Sequence, residues 1–410
     1  MVTKNKYFLI FILFLGWLIA SLDRAVMSFV MIPLANEFSL DSSLTGVILS
    51  AFFLGFILVQ IPAGYLADRW GARKVLLVAV VSWSVFTGLT GLAWSVTSLI
   101  VLRFLFGLFE GFFPSASSIA VAENFPLTQR ARAKTVVLLG SGIGQIVAAV
   151  AGVALLASVG WRSLFGLLGA FGLVIFILYW FGLARKKEAE ANNSVKQVPV
   201  RAMLKNPLIW SLTITSMGIY IVNWGIASWM PIYLVQSRGL SMTEMGTLVA
   251  ISGFVMLLSS FAVAYILDKF TGKERYFVVG GAVLAAVFLY LLAIAPTPVM
   301  AVVYQTLAQI TCSFVTFTVL TQPLKRFPKE SIGTANGIVN MGGQIGSFIS
   351  PMAVGFIVNA SGGSYYVAFI FLAACVLVSA VAGATIPVIK TPDTSKQEPD
   401  ISKQEPVAGS

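Results

Sequence analysis

The chain has 410 residues, 58% of them hydrophobic and only 10% charged, with 27 Lys and Arg against 16 Asp and Glu and no histidine, for a net charge of +11. A water-soluble chain of ordinary composition is about 25% charged, so this composition excludes a large soluble enzyme and leaves a protein that crosses a membrane many times. The long apolar runs also exclude the short alternating strands of a membrane barrel, which leaves helices that satisfy their own backbone as the spanning elements.

The first apolar segment, 7–33, reads YFLIFILFLGWLIASLDRAVMSFVMIP and is long enough to cross a bilayer core. Lys4 and Lys6 ahead of it imitate a signal peptide, but the run is too long and carries Asp23 and Arg24 in its middle, so it reads as a retained first helix. A charge at that depth costs on the order of 2.5–3.5 kcal/mol on the lenient insertion scale. Asp23 and Arg24 are therefore expected in a protein interior or a wet cavity. Eleven further spans follow at 43–67, 75–93, 97–122, 135–159, 163–184, 206–234, 243–267, 277–295, 298–322, 333–359 and 365–388. The expected fold is an all-α membrane protein of twelve transmembrane helices.

Lys and Arg gather in every second connection and at both ends: Arg69, Arg73 and Lys74; Arg130, Arg132 and Lys134; Arg185 to Lys205; Lys269, Lys273 and Arg275; Lys325, Arg326 and Lys329; and Lys390 onward. The alternate connections hold only Arg162 and Arg238. This positive-inside bias places both termini in the cytoplasm. The polar stretch 185–205 reads as a linker between an N-terminal bundle, 1–184, and a C-terminal bundle, 206–390, and the tail 391–410, with SKQEP twice and no apolar run, reads as disordered. Cys312 and Cys375 stand at no metal-ligand spacing, and no cofactor is implied.

The halves repeat each other. GYLADRWGARK at 64–74 is echoed by AYILDKFTGKER at 264–275, GSGIGQ at 140–145 by MGGQIG at 341–346, and GWRSLF at 160–165 by SYYVAF at 364–369. Two related six-helix bundles usually hold a substrate site between them near the bilayer midplane. The glycines of the second pair are suited to close helix packing. Pro62, Pro114, Pro231, Pro323 and Pro351 fall inside spans and are expected to interrupt or bend them.

The fourth span carries Arg103 and Glu110, seven residues and about 10 Å apart on one helix face. Asp23 and Arg24 are neighbours, about 100° apart around their helix, so the expected partnerships run across helices, from the first span to the fourth. Buried ionisable groups of this kind mark ion or proton paths. A guanidinium stays charged and presents a planar fork to a carboxylate or phosphate, which makes Arg24 and Arg103 candidates for an organic-anion site. Without histidine, protons must travel on carboxylates, here Asp23 or Glu110. An anion bound to the arginines favours protonation of the neighbouring acid, which is a coupling mechanism. Tyr220, Asn223 and Trp224 on the seventh span and Gln305, Gln309 and Gln322 on the tenth are candidates to line the same cavity.

The sequence Gly64, Leu66, Ala67, Asp68, Arg69, Gly71, Arg73, Lys74 resembles the signature loop of the major facilitator superfamily. The resemblance implies two pseudo-symmetric six-helix bundles and gives Asp68, Arg69 and Arg73, with Asp268 in the second half, a part in the charge network that governs opening. A further set is similar to the anion:cation symporter branch, which includes sugar-acid carriers and sialin-like transporters: Asp23-Arg24, RFLFGLFEGFFP at 103–114, NFPLTQRARA at 124–133, GWR at 160–162, WMPIYL at 229–234 with RGLS at 238–241, and GIVNMGGQ at 337–344. It implies that Arg24 and Arg103 bind a substrate carboxylate, that Asp23 and Glu110 carry coupling protons, and that Asn340 reaches the substrate from the second half. The chain departs from the pattern at Ser21, where a tyrosine is frequent, at Gln344, where asparagine is usual, and at Ser141, where some sugar-acid carriers have glutamine and Gln145 lies one turn on.

The expected activity is proton-coupled symport of a small organic anion, a sugar acid or other carboxylate, into the cell across the inner membrane by a monomer, with no nucleic-acid partner. Three other activities fit the sequence less well, among them an ion channel, for which no re-entrant filter-like segment interrupts the twelve spans. An exporter of amphipathic or cationic compounds sits poorly with two buried arginines. A membrane-embedded transferase would need a metal-holding acid cluster, whereas Asp41, Glu244 and Glu330 are isolated in the sequence.

Overall fold

A computed structural model describes residues 6–183, 200–270 and 272–387. The predicted tail and most of the predicted linker lie outside the described residues. Among those described there is no strand, and fourteen α-helices carry the chain: α1 (Lys6–Glu37), α2 (Ser42–Trp70), α3 (Ala72–Thr90), α4 (Val96–Glu110), α5 (Phe113–Asn124), α6 (Leu127–Val147), α7 (Val153–Gly182), α8 (Val200–Met203), α9 (Pro207–Gln236), α10 (Met242–Lys269), α11 (Glu274–Ala293), α12 (Pro298–Arg326), α13 (Lys329–Ala360) and α14 (Tyr366–Ala384). Among the described residues, eleven helical stretches are long and apolar enough to cross a membrane. One of them, Thr128–Gly182, has 55 residues, far more than the roughly 20 that a bilayer core takes. It is broken at Gly160, whose φ of 75° only glycine adopts without strain, so it supplies two spans and the total is twelve.

The fourth span is also broken. α4 ends at Glu110, two residues turn at Gly111 and Phe112, and α5 begins with Pro114 in its first turn. That is the only break the prolines produce among the described residues. Pro62, Pro231, Pro323 and Pro351 lie inside unbroken helices, contrary to the expectation that all five interrupt them. In a bundle core neighbouring helices hold such a stretch in place, and Trp229 Nε1 on α9 donates to the Pro351 carbonyl at 2.9 Å.

The turns on the face opposite the basic loops are short and capped by side chains. Asp41 caps α2, Ser95 caps α4 in a capping box with Ser98, Ser241 caps α10 in a box with Glu244, and Thr297 caps α12. Asp41 and Ser241 open the second helix of each half, and Ser95 and Thr297 open the fourth, so the internal repeat extends to the caps. The two arginines of this face are bound internally. Arg162 pairs with Glu37 at 2.6 Å, and Trp161 Nε1 donates to the same carboxylate at 2.8 Å. Arg238 donates to Tyr233 Oη and to the Ala295 carbonyl, each at 2.6 Å.

Packing repeats as well. Gly140 and Gly144 lay α6 directly on the α1 backbone, where an added methyl would clash with the carbonyl oxygens of Phe14 and Leu18; Gly342 and Gly346 lay α13 on α9 in the same way, against Thr213 and Met217. Between the halves, α2 runs beside α13 and α10 beside α6. The contact is tightest at the face opposite the basic loops. A methyl at Gly46 would stand 2.6 Å from the Pro351 carbonyl oxygen, and one at Gly246 would stand 2.6 Å from that of Ala149, inside a π-helical turn at Ala148–Gly152. Toward the basic loops, Gly64, Gly333 and Gly337 have no such neighbour within 4 Å.

This geometry makes the seal sensitive to side-chain volume. Gly46→Leu should force α2 and α13 apart at that face while leaving both helices intact. A cysteine placed at cavity-lining Ser28 should then react severalfold faster with a membrane-impermeant thiol reagent added from that side.

Candidate functional site

Hydrogen bonds and ion pairs bring the four intramembrane charges together across helices. Arg103 Nη1 on α4 donates to Asp23 Oδ1 on α1 at 3.0 Å, and Arg24 Nη1 lies 3.3 Å from Glu110 Oε1 at the end of α4. The predicted first-to-fourth-span pairing is thus the observed one. The Arg103–Asp23 pair is the more enclosed of the two, with Arg103 Nε left without a hydrogen-bond partner. Both side chains are buried, Thr87 Oγ1 donates to Asp23 Oδ2 at 2.5 Å, Arg103 Nη2 donates to Thr90 Oγ1 at 2.8 Å, and Phe106 and Phe165 flank the guanidinium at 4.7 and 5.2 Å. Thr87 and Thr90, three residues apart on α3, share one face of that helix and so meet the pair together.

The Arg24–Glu110 pair is open on one side. The Arg24 side chain is 14% exposed against 3% for Glu110 and 2% for Arg103, so it is the more open of the two arginines that border the cavity. Its guanidinium donates to Ser21 Oγ at 3.0 Å and lies between the rings of Phe52 and Trp224, at 5.8 and 5.7 Å. Ser21 in turn bonds Ser141 on α6 at 2.6 Å. Arg24 Nε and Glu110 Oε2 are buried without a hydrogen-bond partner. A buried donor and a buried acceptor left open beside each other are costly unless something completes them.

The cavity that meets Arg24 has a volume of about 360 Å³ and lies between the halves. Its first-half wall includes Arg24, Arg103 and Gln145, and its second-half wall Trp224, Gln305 and Gln309. Of the predicted substrate-binding residues, Arg24, Arg103 and Gln145 therefore border the cavity. Tyr220, Asn223, Asn340 and Gln344 are not among its lining residues in this conformation. Asn340 Nδ2 donates instead to Gln60 Oε1 on α2 at 3.1 Å, and the Tyr220 ring lies beside Gly343. Asp23 and Glu110 stand behind the wall, bound to the arginines. Gln322 lies away from the cavity too, at the far end of α12, where Arg326 Nε donates to it.

The predicted gate residues occupy the basic-loop face. Arg73 donates to the carbonyls of Leu183 and Trp180 at 2.8 and 3.0 Å and stacks on the Trp180 ring, which ties α3 to the end of α7. Arg69 donates to Tyr65 Oη at 3.1 Å, and Asp268 is exposed at the end of α10. The Asp68 side chain lies outside the described residues. Sequence reasoning did not single out Thr87, Thr90, Phe52, Gln60 or Glu37. Two threonines one helical turn apart in an apolar span were the signal that could have found the first two.

A twelve-span helical bundle with a charged cavity between related halves is the architecture of a secondary transporter. The family model of the Major Facilitator Superfamily matches residues 13–351 and again 243–409. The chain belongs to that superfamily: it is a multi-pass membrane transporter and not an enzyme. Curated relatives include the probable anion transporter 6, chloroplastic, of Arabidopsis thaliana, 30% identical over 58% of this chain and 50% of that protein. The chain thus spans about half the length of that relative. Two proteins of Bacillus subtilis are each 28% identical: a hexuronate transporter, over 67% of this chain and 68% of that one, and a probable galactarate/D-glucarate transporter, over 91% and 90%. Among solved structures, a bacterial homologue of the human lysosomal transporter Spinster, inward-facing and occupied, has the same fold at a TM-score of 0.76 with 21% identity, covering 94% of this chain and 96% of that one.

Because both side chains of the Arg103–Asp23 pair are buried, removing one partner strands the other. Arg103→Ala should destabilise the purified protein by about 3–5 kcal/mol, read as a fall in thermal midpoint in detergent. Arg103→Gln combined with Asp23→Asn should recover most of that loss.

Proposed function

We propose that the protein is a proton-coupled symporter that carries a small organic anion, a sugar acid or other carboxylate, into the cell by alternating access. The observation that carries this reading is the Arg24–Glu110 pair, buried at membrane depth, exposed to the cavity only through Arg24, and left with an open donor and an open acceptor. The named substrates of the Bacillus subtilis relatives, hexuronate and galactarate/D-glucarate, lend support.

The coupling follows from charge. With Glu110 ionised, Arg24 is neutralised and has little to offer an anion. A substrate carboxylate that takes the Arg24 fork would then face the Glu110 carboxylate in a low-dielectric site, leaving an uncompensated negative charge. A proton on Glu110 removes that charge and frees Arg24, so proton and anion bind together. Asp23, locked by Arg103 and Thr87, carries a second proton-linked charge that can change only when Arg103 is engaged elsewhere. Arg103, which borders the cavity, is the second guanidinium for the substrate.

In this reading the sealed face is the outer one and the basic-loop face is cytoplasmic, with both termini there and the protein a monomer in the inner membrane, following the positive-inside bias. Two bodies, 1–184 and 206–390, rock about the cavity while the tail 391–410 stays in the cytoplasm. Asp68, Arg69, Arg73 and Asp268 hold the basic-loop face shut in the opposite state, and Tyr220, Asn223, Asn340 and Gln344 close on the substrate as the halves approach. Exporter chemistry for cationic cargo is disfavoured by the arginine on the cavity wall.

The test is uptake of labelled aldonates, hexuronates and aromatic acids into proteoliposomes with and without an inward proton gradient. Gradient-driven uptake of at least one acid is expected, with Arg24→Ala abolishing it and Glu110→Gln losing gradient drive while retaining exchange. Uptake that ignores the gradient and both substitutions would reject the mechanism.

A further inference from the structure

One cation of the basic clusters lies within a helix and turns toward its neighbours. Lys134 stands on α6, and its Nζ donates to Ser118 Oγ on α5 at 2.9 Å and lies 5.5 Å from the centre of the Trp17 ring on α1. Both partners are fixed in turn. Trp17 Nε1 donates to Ser117 Oγ at 3.4 Å, and Ser118 Oγ donates its own proton to the Pro114 carbonyl at 2.8 Å. The surroundings are thus a hydroxyl and a ring, and among the described residues no carboxylate pairs with Lys134. An ammonium carries three donors, of which one is used here. Ser118 is exposed and Trp17 and Lys134 are half-buried, so the ammonium lies at an open edge of the packing. It keeps two N–H groups and a whole charge that no protein group answers.

Helical spacing places this ammonium on the way to Arg24. Lys134 precedes Ser141 by seven residues and Gln145 by eleven, so it shares a face of α6 with two residues that line the cavity. Trp17 precedes Ser21 by four residues and Arg24 by seven, on the cavity face of α1. Ser118 follows Glu110 by eight residues, beyond the break in the fourth span. These spacings put the ammonium about 10 Å from the Arg24–Glu110 pair, toward the basic loops. The Ser21–Ser141 hydrogen bond lies between the two cations, and Arg24 donates to Ser21 from above it. This is also the side on which α2 and α13 draw apart, since Gly64, Gly333 and Gly337 have no neighbour there within 4 Å.

We propose that Lys134, with Ser118 and Trp17, forms a second anion station outside the cavity, which takes the carboxylate of the cargo between Arg24 and the solution at the basic-loop face. This rests on the organic-anion reading of the site and extends it to the path. The two cations differ as a holding site and a passing one should. A guanidinium offers a planar fork that grips a carboxylate in one geometry, whereas an ammonium is a compact charge with rotatable donors that releases its partner easily. Arg24 must also be freed from Glu110 before it can bind, while Lys134 has no acid to displace. An anion can therefore dock at Lys134 whatever the charge on Glu110. A carboxylate expelled from Arg24 when Glu110 loses its proton then moves to a positive group and meets no opposing charge on the way.

The station is read directly by tryptophan fluorescence of the purified full chain in neutral detergent. Each protein is compared with its own Trp17→Phe counterpart, which isolates the signal of Trp17. The probes are 3-bromopropionate, a carboxylate bearing a heavy-atom quencher, and the neutral 3-bromopropanol. Lys134→Gln should lower quenching of Trp17 by bromopropionate about threefold or more, a small part of what a focused field can supply. Quenching by bromopropanol should not change, and Lys134→Arg should keep the wild-type value for both. Bromopropionate quenching that is the same in wild type and Lys134→Gln would overturn the proposal. So would its loss from the wild type on adding phosphatidylglycerol but not phosphatidylcholine, which would assign the lysine to a lipid headgroup. In proteoliposomes exchanging whichever acid the uptake panel identifies, Lys134→Gln should raise the half-saturating concentration at the basic-loop face about threefold or more and leave that of the other face unchanged. An equal rise at both faces with a lower thermal midpoint would make Lys134 a structural residue and overturn the station. If no acid in the panel is taken up, the transport reading falls while the quenching still reads the lysine, so the two failures are distinct.

Discussion

The structure depends on four charges kept out of water at the middle of a membrane. Each would be expensive alone; in crossed pairs they cancel, and the cost of desolvation is offset only where geometry and hydrogen bonds are complete. That condition is nearly met for Arg103 and Asp23 by Thr87, Thr90, Phe106 and Phe165, with Arg103 Nε alone left without a partner, and it ties α1 to α3 and α4. It is left unmet for Arg24 and Glu110, each of which keeps one open atom. The pairs differ in degree: both arginines border the cavity, but Arg24 is the more exposed, and its pair keeps two open atoms where the Arg103–Asp23 pair keeps one.

The rest of the bundle is arranged to hold that distinction. Close backbone contact between α1 and α6 fixes Ser21 against Ser141 and so fixes the floor beneath Arg24. The equivalent contact between α9 and α13 in the second half sets the helix from which Trp224 reaches across to the guanidinium. The halves therefore meet at Arg24 through a ring stacked on a cation as well as through the glycine seal at Gly46 and Gly355.

Much of this was legible in the sequence, for identifiable reasons. Span number and the positive-inside pattern follow from composition and charge position, which act before any tertiary packing. The first-to-fourth-span pairing followed from helix geometry, since neighbours at 23 and 24 cannot face each other. What was not legible depended on atoms that only tertiary structure brings together. Asn340 pairs with Gln60 across the halves, a contact that no local pattern encodes. The prolines were over-read because a break depends on whether neighbouring helices re-satisfy the backbone, and only at Pro114 does the chain leave the helix. Gln305 and Gln309 could be named as cavity candidates from polarity, but their mutual bond required side-chain positions.

One consequence of the bound arginines on the opposite face concerns rates of encounter. Arg162 is neutralised by Glu37, and Arg238, whose partners are neutral, is outnumbered by the exposed carboxylates of Asp41 and Glu244, so the described charges of that face carry no positive excess. A mouth without a free positive field gives no long-range attraction to an anion, and association there proceeds at the unsteered rate rather than the accelerated one that a charged funnel provides. The basic-loop face has the contrary character, with a lysine- and arginine-rich rim that draws anions back toward the pathway. The two mouths are therefore kinetically unequal even for a cargo that binds with the same strength from either side, and ionic strength will act on association at the basic-loop mouth far more than at the other.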